Sequence, residues 1–283
     1  MDKPYNISFS GGRTSAYMTK LLLDNHADKY DFIVTFANTG LEHEKTLEFV
    51  DNCDKYFNFN TVWLEADTQE DGVGTKFKIV DFKTASRKAE PFEEVIDKYG
   101  IPNLSYLHCT RELKLAPMQT YLRSVGVDHR KIPVALGIRL DETRRVSEKA
   151  GIDKIEYPLI YEWPTTKGQV LHWWSQQAFD LGLEEFEGNC FGCFKKSHKK
   201  LFMQIRKDPS VFDFHRRMEE LYRFHKMPDG DMRVFFRGNL DTVGLFKLHD
   251  ELGDYMFSQM DFFETPEDEN GGCTESCELY PME

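Results

Sequence analysis

The sequence carries six cysteines, Cys53, Cys109, Cys190, Cys193, Cys273 and Cys277, and their clustering points to metal or redox chemistry. Cys190-Phe191-Gly192-Cys193 is a C-x-x-C, which by itself suits a zinc half-site, a redox pair or half of a cluster site. Cys109 precedes it by 81 residues. A second group lies near the start of the chain. Ser10-Gly11-Gly12-Arg13-Thr14-Ser15 has small residues that let backbone N–H groups approach an anion, and Thr14 and Ser15 add hydroxyls. Its spacing is neither that of a Walker A loop nor that of the G-x-G-x-x-G fingerprint, and an ordinary tight turn between strand and helix is the plain alternative. A third group is cationic. Arg111 and Lys114 lie three apart just after Cys109 and share a helix face, and Arg139, Arg144 and Arg145 follow an apolar run. A ligand bearing several phosphate or sulfate groups needs such cations, and Arg gives bidentate contacts; surface ion pairing is their bland use. Arg139 is the foremost candidate, because it follows a buried strand end, where ligands of α/β folds bind.

These groups need elements to position them. Residues 5–9 read as a strand, the glycine loop follows, and AYMTKLLLDN has helical spacing. A second strand, DFIVTFA, ends at Asn38-Thr39-Gly40; a helix over 44–56 and a third strand, NTVWLEA, come next. Alternating strands and helices imply parallel pairing with right-handed crossovers. GVGTKFKIVDFKTASRK reads as loop and short strand, and 91–99 as a short helix. The segment 109–125 reads as a helix that Pro117 kinks or whose start it displaces. KIPVALGIRL reads as a strand buried on both faces, IEYPLI as the last strand, and VLHWWSQQAFDLGL as a helix. Basic, aromatic helices are expected over 197–207 and 211–225. The organisation expected is an α/β domain over 1–200 with a doubly wound, mainly parallel sheet, a helical C-terminal region over 201–263, and a mobile, acidic, cysteine-containing tail over 264–283. Cys53 is expected to be a buried small hydrophobe, Trp163, Trp173 and Trp174 core or interface residues, and His215, His225 and His249 isolated structural histidines.

The 283 residues are 40% hydrophobic, 14% aromatic and 30% charged, which is a globular composition. The longest apolar runs are a few residues, short of the ~20 that a membrane helix needs, and no apolar leader is evident. A cytoplasmic protein without a disulfide framework is expected. A net charge of −12 argues against a general nucleic-acid binder. Residues 195–226, however, carry ten Lys/Arg against four acids, which suggests either one anionic site or helices with solvated faces.

SFSGGRTSAYM resembles the pyrophosphate-binding loop of the adenine nucleotide α-hydrolase superfamily, which contains ATP pyrophosphatases, tRNA thiolases and the sulfonucleotide (PAPS and APS) reductases. Asn38-Thr39-Gly40, with Glu44, Thr46 and Phe49 downstream, is similar to its second motif, D-T-G with E-T-x-x-F. Gly137-Ile138-Arg139, with Glu142, Arg144 and Arg145, is similar to the G-x-R-x-x-E-S-x-x-R block of the phosphoadenosine phosphosulfate reductase branch. The motifs arrive in family order over roughly residues 5–200. The layout Cys109, then Cys190 and Cys193, with Arg111 and Lys114 just after the first, resembles the [4Fe–4S] pattern of APS reductases, with His108 standing where the first Cys of a pair would be. Thr14 and Asn38 replace family carboxylates, which argues against metal–ATP handling of the pyrophosphatase kind.

The resemblance implies a Rossmann-like, adenine nucleotide α-hydrolase-like fold. It implies that Ser10, Gly11, Gly12, Arg13, Thr14, Ser15, Thr39, Gly40, Arg111, Arg139, Arg144 and Arg145 hold an adenine nucleotide: PAPS, APS or ATP. Cys109, Cys190 and Cys193, with His108 as fourth ligand, would hold a [4Fe–4S] cluster, or else one iron stays open; zinc on the same four residues is the alternative. Cys277, Arg139 and Lys114 would be catalytic, with Cys273 as a resolving thiol, since Ser276-Cys277-Glu278-Leu279-Tyr280 loosely resembles the E-C-G-L-H of sulfonucleotide reductases. Three readings follow. A sulfonucleotide reductase would release sulfite and draw on a thioredoxin-like reductant. A sulfur transferase would bind ATP and thiolate RNA or DNA. A nucleotide-binding module that has lost the chemistry is the third, motivated by Thr14, Asn38 and His108. Assembly as a homo-oligomer is left open by the sequence.

Overall fold

β1 (Pro4–Ser8) and β2 (Asp31–Ala37), each buried along most of its length, lie at the centre of the sheet, where both faces are covered. The structure is a computed structural model and describes residues 3–228 and 230–258. With β3 (Val62–Asp67), β4 (Lys76–Val80), β5 (Val134–Ala135) and β6 (Ile155–Glu156), the sheet order is β4-β3-β2-β1-β5-β6. Every pairing is parallel except β3–β4, a hairpin-like antiparallel edge. The chain winds outward from β1 to β3 and then crosses back to β5 on the other side of β1. The β1/β5 boundary is therefore the switch point at which open α/β sheets bind ligands.

Eleven helices occur among the described residues: α1 (Arg13–His26), α2 (Glu44–Phe57), α3 (Glu90–Tyr99), α4 (His108–Thr110), α5 (Ala116–Ser124), α6 (Ala150–Asp153), α7 (Pro158–Tyr161), α8 (Lys167–Trp174), α9 (His198–Lys207), α10 (Asp213–Tyr222) and α11 (Thr242–Ser258). Phe9, Met18, Phe36, Phe49 and Trp174 join β1, β2, α1, α2 and α8 in one core. On the opposite face Met118 and Leu122 of α5 pack on Leu64 and Ile33. This is the doubly wound α/β arrangement that the sequence predicts. A further core runs from Phe92 and Ile96 of α3 through Phe194 to Phe202, Phe212, Met218, Phe235 and Leu245. It crosses residue 200, so the C-terminal helices share apolar packing with the sheet domain. Among the described residues no helix is long and apolar enough to cross a membrane.

Several elements differ from the sequence reading. KIPVALGIRL forms only a two-residue ladder, although Ile132, Leu136 and Ile138 are buried. The apolar run reports burial, not strand pairing: after Ala135 the chain turns onto α1, where a Cβ at Gly137 would fall 2.9 Å from Ser15 Cα. IEYPLI leaves the sheet at Glu156, because Pro158 starts α7. The helix expected over VLHWWSQQAFDLGL ends at Trp174. Around Pro117 the chain adopts a π-helical turn, Arg111–Leu115, before α5. The wider turn accommodates a ring with no N–H to donate. Cys53 is buried and burial pushes its thiol well up, as expected of a small hydrophobe. The cations of 195–226 are mostly paired: seven of the ten (Lys200, Arg206, Lys207, Arg216, Arg217, Arg223 and Lys226) form ion pairs with acids.

Candidate functional site

The glycine loop caps β1 and opens α1, whose first turn contains no acid. Gly11 has φ +77, and a Cβ there would meet Thr46 Cγ2 at 2.7 Å, so this position requires glycine for the fold itself. Ser15 Oγ donates to Gly12 O at 3.1 Å and lies 2.8 Å from Ser10 Oγ, which closes the loop. Arg13 turns away from it. Its guanidinium grips Asp180 through two bonds of 2.6 Å and donates to Leu183 O at 3.1 Å. Asp180 is held below the usual carboxylate range by Arg13, against the opposing effect of burial.

Thr14 and Arg139 meet. Arg139 Nη1 donates to Thr14 Oγ1 at 2.8 Å, while Asp141 and Glu142 take other donors of the same guanidinium. Arg139 is 5% exposed. It ties the glycine loop to the end of β5 across the switch point, and Arg145 pairs with Glu142 behind it. Arg144 is exposed. Arg111, on the far side, donates to Glu112 at 2.6 Å and stacks 5.9 Å above the Tyr99 ring. Arg111 is therefore held on the α3 side of the π turn, apart from the Arg139 cluster.

Asn38 explains its departure from the family carboxylate. Its amide donates to Glu65 Oε1 at 2.7 Å and to Ser86 O at 2.9 Å. Burial raises the Glu65 carboxyl. An Asp at position 38 would set a second carboxylate against it and leave a carbonyl without its donor. Asn38→Asp is thus expected to hold one proton between the two acids, with a folded pKa above the unfolded one. Its stability is then fully present below the unfolded carboxylate value and is lost as pH rises through the raised folded value. The deficit at pH 7 should reach about 2 kcal/mol. Thermal melts between pH 4.5 and 8 check this, and a deficit that does not change with pH would contradict it.

The N-T-G loop reaches the cysteines. Thr39 N and Oγ1 both donate to the buried Glu42 carboxylate, at 2.8 and 2.9 Å. Thr39 Oγ1 lies 3.4 Å from Cys190 Sγ, which donates to Glu42 Oε1 at 3.8 Å. Phe191 N donates to Leu41 O at 2.9 Å, fastening the C-x-x-C turn to this loop. Gly40, at φ +80, lets the loop pass within 2.8 Å of Ala89 Cα, counted from a built Cβ.

Cys109, Cys190 and Cys193 line one cavity of about 30 Å³ together with Thr39, Lys114, Lys195 and His215, and carry no disulfide. Its walls are otherwise apolar, including Phe92, Leu113 and Phe235. Thiols, nearby cations and a closed apolar wall suit a thiolate-bound metal group. Among the described residues no set of three His, Cys, Asp or Glu converges at ion-binding spacing, so binding requires the side chains to draw in. Lys196 is 1% exposed and donates to Cys190 O at 3.0 Å. His108 lies outside the cavity lining: its Nε2 is 3.0 Å from Gly100 O and its ring packs on Tyr99. His215 is where sequence reasoning falls short. It is the buried histidine against the C-x-x-C turn, and burial, then Lys196, lower it to about 3, which leaves the ring neutral. Nothing in its local sequence marks it, since 22 residues separate it from Cys193 and only the return of α10 brings them together. Glu42 was missed in the same way. Cys273 and Cys277 lie outside the described residues.

Residues 4–156 match the phosphoadenosine phosphosulfate reductase domain. Over 97% of its length the chain is 31% identical to an uncharacterized nin region protein, ORF290, of Escherichia phage lambda, and covers 94% of that protein. It is 27% identical over 174 residues to the uncharacterized protein MJ0066 of Methanocaldococcus jannaschii, and 33% identical over 118 residues to MJ0973 of the same organism. Those matches take in 61% and 42% of this chain but only 31% and 22% of the archaeal proteins.

Proposed function

The chain belongs to the phosphoadenosine phosphosulfate reductase family, and we propose that it binds an adenine sulfonucleotide at the switch point and reduces it to sulfite. The observation that supports this most is the junction at Thr39. The loop after β2 leaves the same end of the parallel sheet as the glycine loop after β1, and its Thr39 Oγ1 lies 3.4 Å from Cys190 Sγ. In this reading nucleotide and thiol chemistry share one site. In this reading the backbone N–H groups at the start of α1, with Ser10, Gly11, Gly12 and Ser15, bind phosphate. Arg139 and Thr14 hold the loop in shape, and Lys114 faces the sulfur end from the cavity wall. Cys109, Cys190 and Cys193 would hold a [4Fe–4S] cluster, with a single zinc ion as the alternative. When bound, such a group supplies positive charge and fixes the three sulfurs beside the nucleotide.

The reaction proposed is thiolate attack on the sulfate sulfur. An S–S bond forms, the sulfur–oxygen bond to the nucleotide phosphate breaks, and the nucleoside phosphate departs. A second thiol then takes the cysteine sulfur and expels sulfite, leaving a disulfide for a thioredoxin-like dithiol to reduce. Asn38 paired to Glu65, and Thr14 paired to Arg139, favour this over ATP-dependent sulfur transfer, because neither position offers a carboxylate for a phosphate-bound magnesium ion.

The test is to incubate the anaerobically purified chain separately with PAPS, APS and ATP, in the presence of a dithiol, and to measure sulfite. Sulfite is expected from a sulfonucleotide and none from ATP. No sulfite from either sulfonucleotide, with ATP cleaved instead, would replace this reading by sulfur transfer.

A further inference from the structure

His215, on α10, is 2% exposed, and its Nδ1 has no hydrogen-bond partner among the described residues. The ring is caged by Phe212, Phe235 and Phe236, with centroids 5.8, 4.7 and 5.8 Å away. Leaving a buried polar atom unmatched costs about 1–3 kcal/mol, and a phenyl ring would fill such a cage without that cost. The imidazole therefore implies a partner. The C-x-x-C turn lies directly on it: a Cβ at Gly192 would fall 2.4 Å from His215 Cε1, so only glycine at φ +56 permits the approach. The same ring lines the cavity of Cys109, Cys190 and Cys193. A lone water fits poorly there, since it needs two to four good polar partners and most of the wall is apolar or thiol.

We propose that His215 is the fourth protein donor to the metal group held by Cys109, Cys190 and Cys193, making a Cys₃His site. The proposal rests on the reading of those cysteines given above. His108 is unsuited to the place, because its Nε2 is directed at the Gly100 carbonyl and it does not line the cavity. Charge points the same way. Lys114 and Lys195 line the same cavity as the three cysteines, and Lys196 donates to Cys190 O. A neutral imidazole completes four-coordination without adding a further anion beside the three cysteines. Thiolate and imidazole together suit zinc and are also known on iron.

The test uses the full chain, purified without oxygen and loaded with zinc alone, and X-ray absorption at the zinc edge. The wild type should show three sulfurs at about 2.3 Å and one nitrogen at about 2.0–2.1 Å. His215→Cys should keep one zinc per chain and show four sulfurs, an exchange that a merely structural histidine would not produce. His215→Phe, which fills the cage, should bind zinc at least a hundredfold more weakly while its thermal melt stays cooperative; should it fail to fold, His215→Cys decides. A nitrogen ligand that persists in His215→Cys, or unchanged zinc affinity in a folded His215→Phe, overturns the assignment and leaves the cysteine site standing. Zinc that binds the wild type and Cys190→Ser equally weakly, together with no iron or sulfide in the chain as isolated, overturns the assignment and the cysteine reading together.

Discussion

Arg139→Ala should cost the fold about 3–5 kcal/mol and lower nucleotide affinity roughly a hundredfold. The stability term comes from burial. Arg139 is 5% exposed and its guanidinium serves Thr14, Asp141 and Glu142 at 2.8, 3.2 and 3.3 Å. Truncation deprives the buried Glu142 of one of its cations, while Arg145 still pairs with it. Breaking a buried charge network by removing one partner is among the costliest single changes. The affinity term is separate. Without Arg139 the glycine loop loses its tether to β5, and an anion must order the loop as it binds. Losing a charge-assisted contact and that order together is worth about 2–3 kcal/mol, and each 1.4 kcal/mol is tenfold. Arg139→Lys retains the charge but not the fork, so it should recover part of the stability and little of the affinity. Urea unfolding and nucleotide titration by calorimetry measure the two. An Arg139→Ala chain with wild-type affinity would show that the loop needs no tether.

The contrast between Arg139 and His215 shows what was readable before the fold. Arg139 stands at the end of a buried apolar run, and strand ends at a switch point are where α/β folds place ligands, so its position is legible from periodicity alone. The glycine loop, the N-T-G loop and the C-x-x-C turn are legible for the same reason: each is local and each carries backbone chemistry. What the sequence hides is side-chain direction after the chain returns. Arg13 stands inside the loop motif yet turns to Asp180, 167 residues away. His108 stands where a ligand is expected yet faces Gly100. His215 stands among aromatics in an ordinary amphipathic helix yet meets the cysteines. For Arg13 and His215 the deciding contact is long-range, for His108 it is a carbonyl eight residues back, and no spacing rule carries any of them. The short β5 ladder belongs with these: KIPVALGIRL is as buried as a strand should be, but Gly137 lets the backbone close on Ser15 instead of continuing the pairing.

Cys277→Ser should reduce sulfite release to the uncatalysed background while leaving nucleotide affinity within twofold of wild type. Sulfonucleotide reduction needs a thiol that can reach the sulfur, donate an electron pair and leave again as part of a disulfide. Among the described residues Cys53 is on the buried face of α2, with its thiol pushed up by burial, and cannot serve. Cys109, Cys190 and Cys193 line the cavity proposed to hold a metal group, and a thiolate bound to metal is a poor free nucleophile. That leaves Cys273 and Cys277, which lie beyond the described residues with Gly271 and Gly272 ahead of them. The acids next to the tail cysteines in the sequence would raise a thiol pKa in water, so the attacking form needs nearby cations to be favoured. Cys273→Ser should behave differently: one turnover of sulfonucleotide, an S-sulfonate retained on Cys277 and readable by mass spectrometry, and no multiple turnover until an external thiol replaces the missing one. Deletion of residues 270–283 should match Cys277→Ser. Sulfite release that survives both Cys277→Ser and the deletion would move the nucleophile to the cavity cysteines and make the metal group, not the tail, the seat of the chemistry.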